Sequence, residues 1–382
     1  MKRPPSLANT RKSPSAITFR HDFQWLGKCS ILSYTIKKLD KSNMLNLLLD
    51  FPLQCKQAYD IAKANKLLLG KKDFTKIVFA GLGGSAIGAD LARSYLYFES
   101  KIPICVSREY DLPAYVDDST LVFISSYSGN TEETLSAYQQ AKEKGASLIL
   151  ISSGGALKEY AKNDKLPFIE IPQGLPPRCA LGYLSIIPLA VLNKLGLVSD
   201  IAPYIVETVE VLEELKNKTL NPRIGQKDNI AKYIADKLFN KFVVIYSSSI
   251  HFDAVVTRLR GQLNENSKSL ASTHVFPEMN HNEIVGWQNP KKLFKNFVVL
   301  MLRDKDMHRR VAKRMDITAD ILKDEGVSVL EIWSRGRNLL SRIFSLIYIG
   351  DFISFYLAML YGIDPTPVDR VTYLKKKLAE GN

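Results

Sequence analysis

From residue 75 onward, short β-branched runs alternate with helix-patterned segments, and this rhythm constrains the fold more than any other feature of the chain. Strands joined through helices run parallel, because each helical crossover carries the chain back to start the next strand in the same direction. Strands are expected at 77–80, 104–106, 121–125, 148–152 and 168–171, with helices at 85–96 and 131–144. A charge-rich helical connector at about 200–230 follows, after which strands return at 242–246, 297–302 and 327–332. The fold class is therefore α/β, in two tandem domains, each a mostly parallel sheet flanked by helices. Their expected extents are 44–215 and 216–382. The strand, small-residue turn and helix of 77–89 is echoed at 242–255, as in an internal duplication.

Two apolar stretches interrupt this rhythm, at 180–198 and 339–363. The first holds Pro188 and Lys194 and the second Arg342 and Asp351, whereas a membrane-spanning helix wants about 20 apolar residues with few charges. Both are expected to be buried helices, with no membrane partner. The formal charge of +13 invites a nucleic-acid reading, but residues 1–43 carry nine Lys/Arg against two Asp, a net of +7, so the excess is concentrated in a short leader. That leader is too short and poorly patterned for a DNA-binding module, and it lacks the apolar run of a secretory signal. It is expected to be a disordered arm or a start-site artefact, with Met44 opening the folded pattern. Cys29, Cys55, Cys105 and Cys179 form no C-x-x-C pair, which argues against a disulfide framework or zinc ribbon and fits a reducing cytoplasm.

Gly81-Leu82-Gly83-Gly84-Ser85-Ala86-Ile87-Gly88 follows a strand and opens a helix. Glycines there let backbone amides approach an anion at the positive end of the helix dipole. A ligand-free turn and a dinucleotide site are rival readings of this segment. The next strand-to-helix junction, Ser125-Ser126-Tyr127-Ser128-Gly129-Asn130-Thr131, decides against the dinucleotide, since its clustered hydroxyls suit one phosphate monoester. Ser128 or Thr131 is also expected to cap the following helix. Together the two turns resemble the sugar isomerase (SIS) domain, which binds phosphosugars. By that resemblance Ser126, Ser128 and Thr131 hold the phosphate, and Gly84 and Ser85 line the sugar.

Binding a phosphosugar is not yet catalysis. An aldose–ketose isomerase needs a base to move a proton between C1 and C2, a cation beside the enediolate and an acid–base group to open the ring. Glu265 lies among amides in Asn264-Glu265-Asn266 at the end of a helix. Read by itself it is equally a base strengthened by burial or a surface partner of Arg260 or Lys268. His281, in Pro277-Glu278-Met279-Asn280-His281-Asn282-Glu283, suits proton shuttling near neutrality, or is a hydrogen-bonded loop residue. His274 and His281 flank Glu278, but no compact ligand set such as H-E-x-x-H is present, so neither metal nor cofactor is expected.

From about Met44 to its end the chain resembles the bifunctional phosphoglucose/phosphomannose isomerases. The resemblance implies that Glu265 is the proton-abstracting base, that His281 opens the ring and that Arg178, in Pro176-Pro177-Arg178-Cys179, stands beside the enediolate. It also implies that Lys375, in the closing segment after Asp364-Pro365-Thr366-Pro367, reaches the site. The histidine comes from a neighbouring subunit in this family, which implies a homodimer with shared sites. The expected substrates are fructose, glucose and mannose 6-phosphates, because the last two differ only at C2, which the enediol makes planar. A single-activity glucose-6-phosphate isomerase and a non-catalytic sugar-phosphate sensor are the alternatives. The second domain, with Leu302-Arg303-Asp304-Lys305-Asp306 at the corresponding junction, is expected to bind no phosphate.

Overall fold

The computed structural model describes residues 29–67, 69 and 73–380. It opens with three helices, α1 (Cys29–Leu39), α2 (Met44–Leu49) and α3 (Phe51–Ala64). Residues 29–43 depart from the expectation of a disordered leader: α1 is helical and Leu32 is fully buried. The carboxylate of Asp40 also accepts the amides of Met44 and Leu45 at 2.7 and 2.8 Å, which is why α2 starts where it does. The rest of the expected leader, 1–28, lies outside the described residues.

The first sheet is built from β1 (Lys76–Ala80), α4 (Gly83–Leu96), β2 (Ile104–Ser107), β3 (Thr120–Ser125), α5 (Glu132–Glu143), β4 (Ser147–Ser152), α6 (Gly155–Asn163) and β5 (Phe168–Glu170). Its strand order is β2-β1-β3-β4-β5 and every pairing is parallel. All six residues of β3 are buried, as expected of a central strand covered on both faces. Helices α7 (Leu181–Lys194), α8 (Ala202–Leu215) and α9 (Ile230–Leu238) lead to the second sheet.

That sheet contains β6 (Phe242–Ser248), α10 (Asp253–Glu265), β7 (Ala271–Phe276), α11 (Glu283–Gly286), β8 (Phe297–Arg303), α12 (Arg309–Asp324) and β9 (Ser328–Trp333), and α13 (Leu339–Leu360) and α14 (Asp369–Glu380) close the chain. Strand order is β7-β6-β8-β9, again all parallel. Strand β7 was not expected. It is an edge strand whose middle residues, Ser272 to Val275, are only half-buried, so its sequence carries no apolar run.

Helices α7 and α13 are apolar around their whole circumference because they are buried on every side. Among the described residues α13 is long and apolar enough to cross a membrane, yet 94% of its most apolar window is buried inside the protein. It packs on α8, α9 and α10 and touches α1 and α2. Phe51 of α3 lies against it, its ring 6.0 Å from Phe344 and 5.6 Å from Tyr348. One core cluster thus runs through both halves of the chain.

Candidate active site

The site forms where α4 and α10, the helices that follow the first strand of each sheet, approach one another. Gly84 makes the approach possible: a Cβ there would lie 2.7 Å from the Pro177 carbonyl oxygen, so only glycine admits the short 3-10 turn Pro177–Cys179 onto the start of α4. That contact delivers Arg178. Ser85, the next residue of α4, is buried beside it.

Arg178 is almost wholly buried and fully engaged. Its Nε donates to Asn266 Oδ1 at 2.7 Å, its Nη2 donates to the carbonyls of Pro365 and Thr366 at 2.9 and 2.8 Å, and its Nη1 stands 3.4 Å from Glu265 Oε2. Behind it Arg258 donates to the Arg178 carbonyl at 2.8 Å and to Asp351 Oδ2 at 3.0 Å. Burial pushes the Asp351 carboxyl up, and the Arg258 charge opposes that push. Lys268 Nζ ties the end of α10 to the same strap through the carbonyls of Glu265, Asn266, Asp364 and Pro365. Burial and then the Arg178 charge lower its ammonium below the ordinary lysine value.

Glu265, the last residue of α10, keeps 44% of its side chain exposed. The burial expected to strengthen it as a base is absent from the single chain. Nor does either expected surface partner hold its carboxylate: Lys268 bonds its carbonyl, and the cation facing the carboxylate is Arg178. A cavity of about 220 Å³ lies here, lined among others by Gly84, Arg108, Arg178, Arg258, Arg260, Gln262 and Glu265. Its four guanidiniums outnumber the carboxylates even when Asp90, paired with Arg108, and Asp351, paired with Arg258, are counted beside Glu265, a balance that suits an anion. Cys179 borders the arginine, but burial pushes its thiol up to about 11, which leaves it inert near neutrality.

The hydroxyl cluster forms at the next turn. Ser126 Oγ lies 2.9 Å from Thr131 Oγ1 and 3.5 Å from Ser128 Oγ, and accepts the Gly129 amide at 3.1 Å. Gly129, with φ 71°, supplies the left-handed bend and packs directly on the Gly154 carbonyl of the neighbouring turn. Thr131 occupies the N-cap position of α5 without capping it, because its hydroxyl turns toward Ser126; Ser128 Oγ accepts the Asn130 amide instead. The capping expected of these residues therefore gives way to a cluster with exposed Ser128 at its rim. At the corresponding end of β8 the second sheet has carboxylates: Asp304 pairs with Arg342 at 2.9 Å and accepts Ser334 Oγ at 2.5 Å.

A single chain does not assemble every expected residue. His281 is an exposed residue at the end of the 3-10 turn Glu278–His281, which buried Met279 anchors, and Lys375 lies on exposed α14; neither lines the cavity. The histidine turn is nevertheless held firmly, since Tyr246 Oη donates to Glu283 Oε1 at 2.5 Å and accepts Trp287 Nε1 at 2.9 Å. No group of three or more His, Cys, Asp and Glu gathers as metal ligands among the described residues.

Residues 71–164 match the SIS domain family and residues 227–378 the bacterial phospho-glucose isomerase C-terminal SIS domain family. A bifunctional phosphoglucose/phosphomannose isomerase of Caldicellulosiruptor bescii is 49% identical over 338 residues, which is 88% of this chain and 99% of that protein. This chain belongs to the bifunctional phosphoglucose/phosphomannose isomerase family. A second member, from Aquifex aeolicus, is 40% identical over 80% of this chain and 92% of its own length. In three dimensions the chain is similar to a hypothetical protein of Thermus thermophilus, with a TM-score of 0.73 at 15% identity over 93% of this chain and 94% of that one. The tandem SIS architecture that unites the family is the two-sheet arrangement described above.

Proposed function

We propose that this protein interconverts fructose 6-phosphate with glucose 6-phosphate and mannose 6-phosphate through an enediolate. The observation that carries this reading is the Arg178 guanidinium, clamped by Asn266 and the 365–366 carbonyls against the Glu265 carboxylate in a cationic cavity. Ser126, Ser128 and Thr131 take the phosphate, and Gly84 and Ser85 line the sugar. Glu265 takes the proton from C1 of the open-chain ketose. The electron pair left behind becomes the C1=C2 bond as the C2 carbonyl oxygen gains negative charge, which Arg178 stabilises without titrating. Return of the proton to C2, with the C1 hydroxyl proton passing to the C2 oxygen as the C1 aldehyde forms, yields glucose or mannose 6-phosphate according to the face attacked. His281 of a neighbouring subunit opens and closes the ring, and Lys375 closes over the same site.

The assembly implied is a homodimer acting in the cytoplasm. The exposure of His281 and of Leu374 and Leu378 on α14 supports it, since exposed apolar and titratable groups of this kind would be covered in a pair of chains. The test starts from fructose 6-phosphate and measures glucose and mannose 6-phosphates separately, for wild type and Glu265→Gln, with and without EDTA. Both products, unaffected by EDTA and reduced about a thousandfold or more in the variant with phosphosugar binding retained, are expected. Glucose 6-phosphate alone reduces the activity to a single isomerisation. Binding without turnover in wild type makes the protein a sensor.

A further inference from the structure

Lys268 stands where the backbone suits glycine. Its φ of 53° lies in the left-handed region, and the turn it makes ends α10 by sending the Ser269 amide back to the Leu263 carbonyl at 3.1 Å. A side chain is strained there, because the left-handed conformation crowds Cβ against the following carbonyl oxygen. Lys268 is also an exposed residue, and an exposed lysine ordinarily keeps its ammonium in water. This one folds back. Its three N–H donors are shared among four carbonyls: Glu265 at 2.7 Å, Asn266 at 3.3 Å, Asp364 at 3.1 Å and Pro365 at 3.0 Å.

The first two carbonyls are what any lysine at a helix C-terminus can reach. The other two lie 96 and 97 residues further along the chain, in the strap whose Pro365 and Thr366 carbonyls hold Arg178 Nη2 at 2.9 and 2.8 Å. The Pro365 carbonyl thus accepts from both cations. Both also grip the same helix end. Arg178 meets the Asn266 and Glu265 side chains, at 2.7 and 3.4 Å, and Lys268 takes the backbone carbonyls of those two residues. With the ammonium gone, the guanidinium is left to hold the strap that should hold it.

We infer that Lys268 is a positioning residue for the isomerisation: its ammonium pins the 364–366 strap to the end of α10 and so keeps the Arg178 guanidinium in register with the Glu265 carboxylate. It touches no substrate and acts through Arg178. The inference rests on the isomerase reading of the site.

Lys268→Gly tests it, because glycine removes the ammonium and gives the backbone the residue its conformation suits. A lysine that merely terminates the helix would be replaced there without loss. Full-length wild type, Lys268→Gly, Arg178→Lys and the double variant are assayed on fructose 6-phosphate, with inorganic phosphate as an inhibitor and thermal unfolding as the check on folding. Arg178 meets its full negative charge only as the enediolate forms, so loosening it costs kcat rather than KM. Lys268→Gly is expected to fold, to lose about tenfold or more in kcat, and to hold KM and phosphate inhibition within about threefold of wild type. In the Arg178→Lys background the same change costs about twofold or less in kcat, since the group it acts through has already lost its fork. Should Lys268→Gly fail to fold, Lys268→Asn, whose short side chain tolerates the left-handed region, carries the same measurements. Wild-type kcat in a folded variant overturns the inference and leaves Lys268 a helix terminator. An equal loss in both backgrounds overturns it too, as does a loss confined to KM, because the lysine then acts without Arg178. Wild type that turns over no fructose 6-phosphate overturns the isomerase reading itself and this inference with it.

Discussion

Nη1 of Arg178 faces Oε2 of Glu265 across 3.4 Å, while the other nitrogens of the same guanidinium are committed to Asn266, Pro365 and Thr366. The cation is thus fixed before substrate arrives, and its position depends on the planar fork of arginine rather than on charge alone. Arg178→Lys keeps the charge and loses the fork. It is expected to lower kcat/KM by about a hundredfold or more and to destabilise the fold by about 2–3 kcal/mol, because Asn266 and the two carbonyls lose buried donors. Steady-state kinetics and thermal unfolding check both parts. Retention of wild-type kcat/KM would remove Arg178 from the chemistry.

The separation of Glu265 from His281 in one chain gives the dimer proposal a sharp consequence. Glu265→Gln and His281→Ala are each expected to be nearly inactive when purified alone. Mixed in equal amounts and allowed to exchange subunits, they should recover about a quarter of wild-type activity, because half the dimers are mixed and each mixed dimer holds one intact site. If mixing restores nothing despite exchange shown by mass spectrometry, the histidine does not cross an interface.

Glu207 of α8 stands at the start of α13, where its Oε1 accepts the amides of Arg337 and Asn338 at 2.5 and 3.2 Å and Ser341 Oγ at 3.1 Å. Burial pushes this carboxyl up, and those hydrogen bonds outweigh it, leaving the group below its ordinary value. A folded-state value below the unfolded one means that the carboxylate contributes its stability above the unfolded value. The contribution is lost as pH falls through the folded one. Glu207→Ala is therefore expected to lower stability by about 1–2 kcal/mol at pH 7 and to approach wild type in strong acid, as read from urea unfolding across the pH range. A difference independent of pH would mean that packing, not charge, accounts for the loss.

Strands β1, β3, β4, β6 and β8 were legible because each is covered on both faces and so reads as an apolar run. Strand β7 was not: the edge strands β2, β5 and β9 keep short apolar runs such as Ile104-Cys105-Val106 and Val329-Leu330, whereas β7 is polar through Ser272-Thr273-His274. Gly84, Arg178 and Glu265 were legible one by one through family resemblance, but their meeting depends on a backbone contact between Gly84 and Pro177 that no local pattern encodes. Arg258 and Gln262 passed unnoticed, and Asn266 was read only as an amide beside Glu265, although the three left a trace: polar residues every fourth position, in register with buried Val255, Leu259 and Leu263, are what a helix shows when one of its faces abuts a polar site. Asp40 is hard to see in the leader because its cap on Met44 spans only four residues and sits within the basic charge around it.

The ring contact of Phe51 with Phe344 joins an early helix to a very late one. A ribosome delivers α3 well before α13, so the apolar flank of the first half emerges with its cover still untranslated. Until the last turns of α13 leave the exit tunnel, that flank lacks the surface it packs on, so a message truncated before that point yields a chain whose first half keeps Phe51 and its neighbours uncovered.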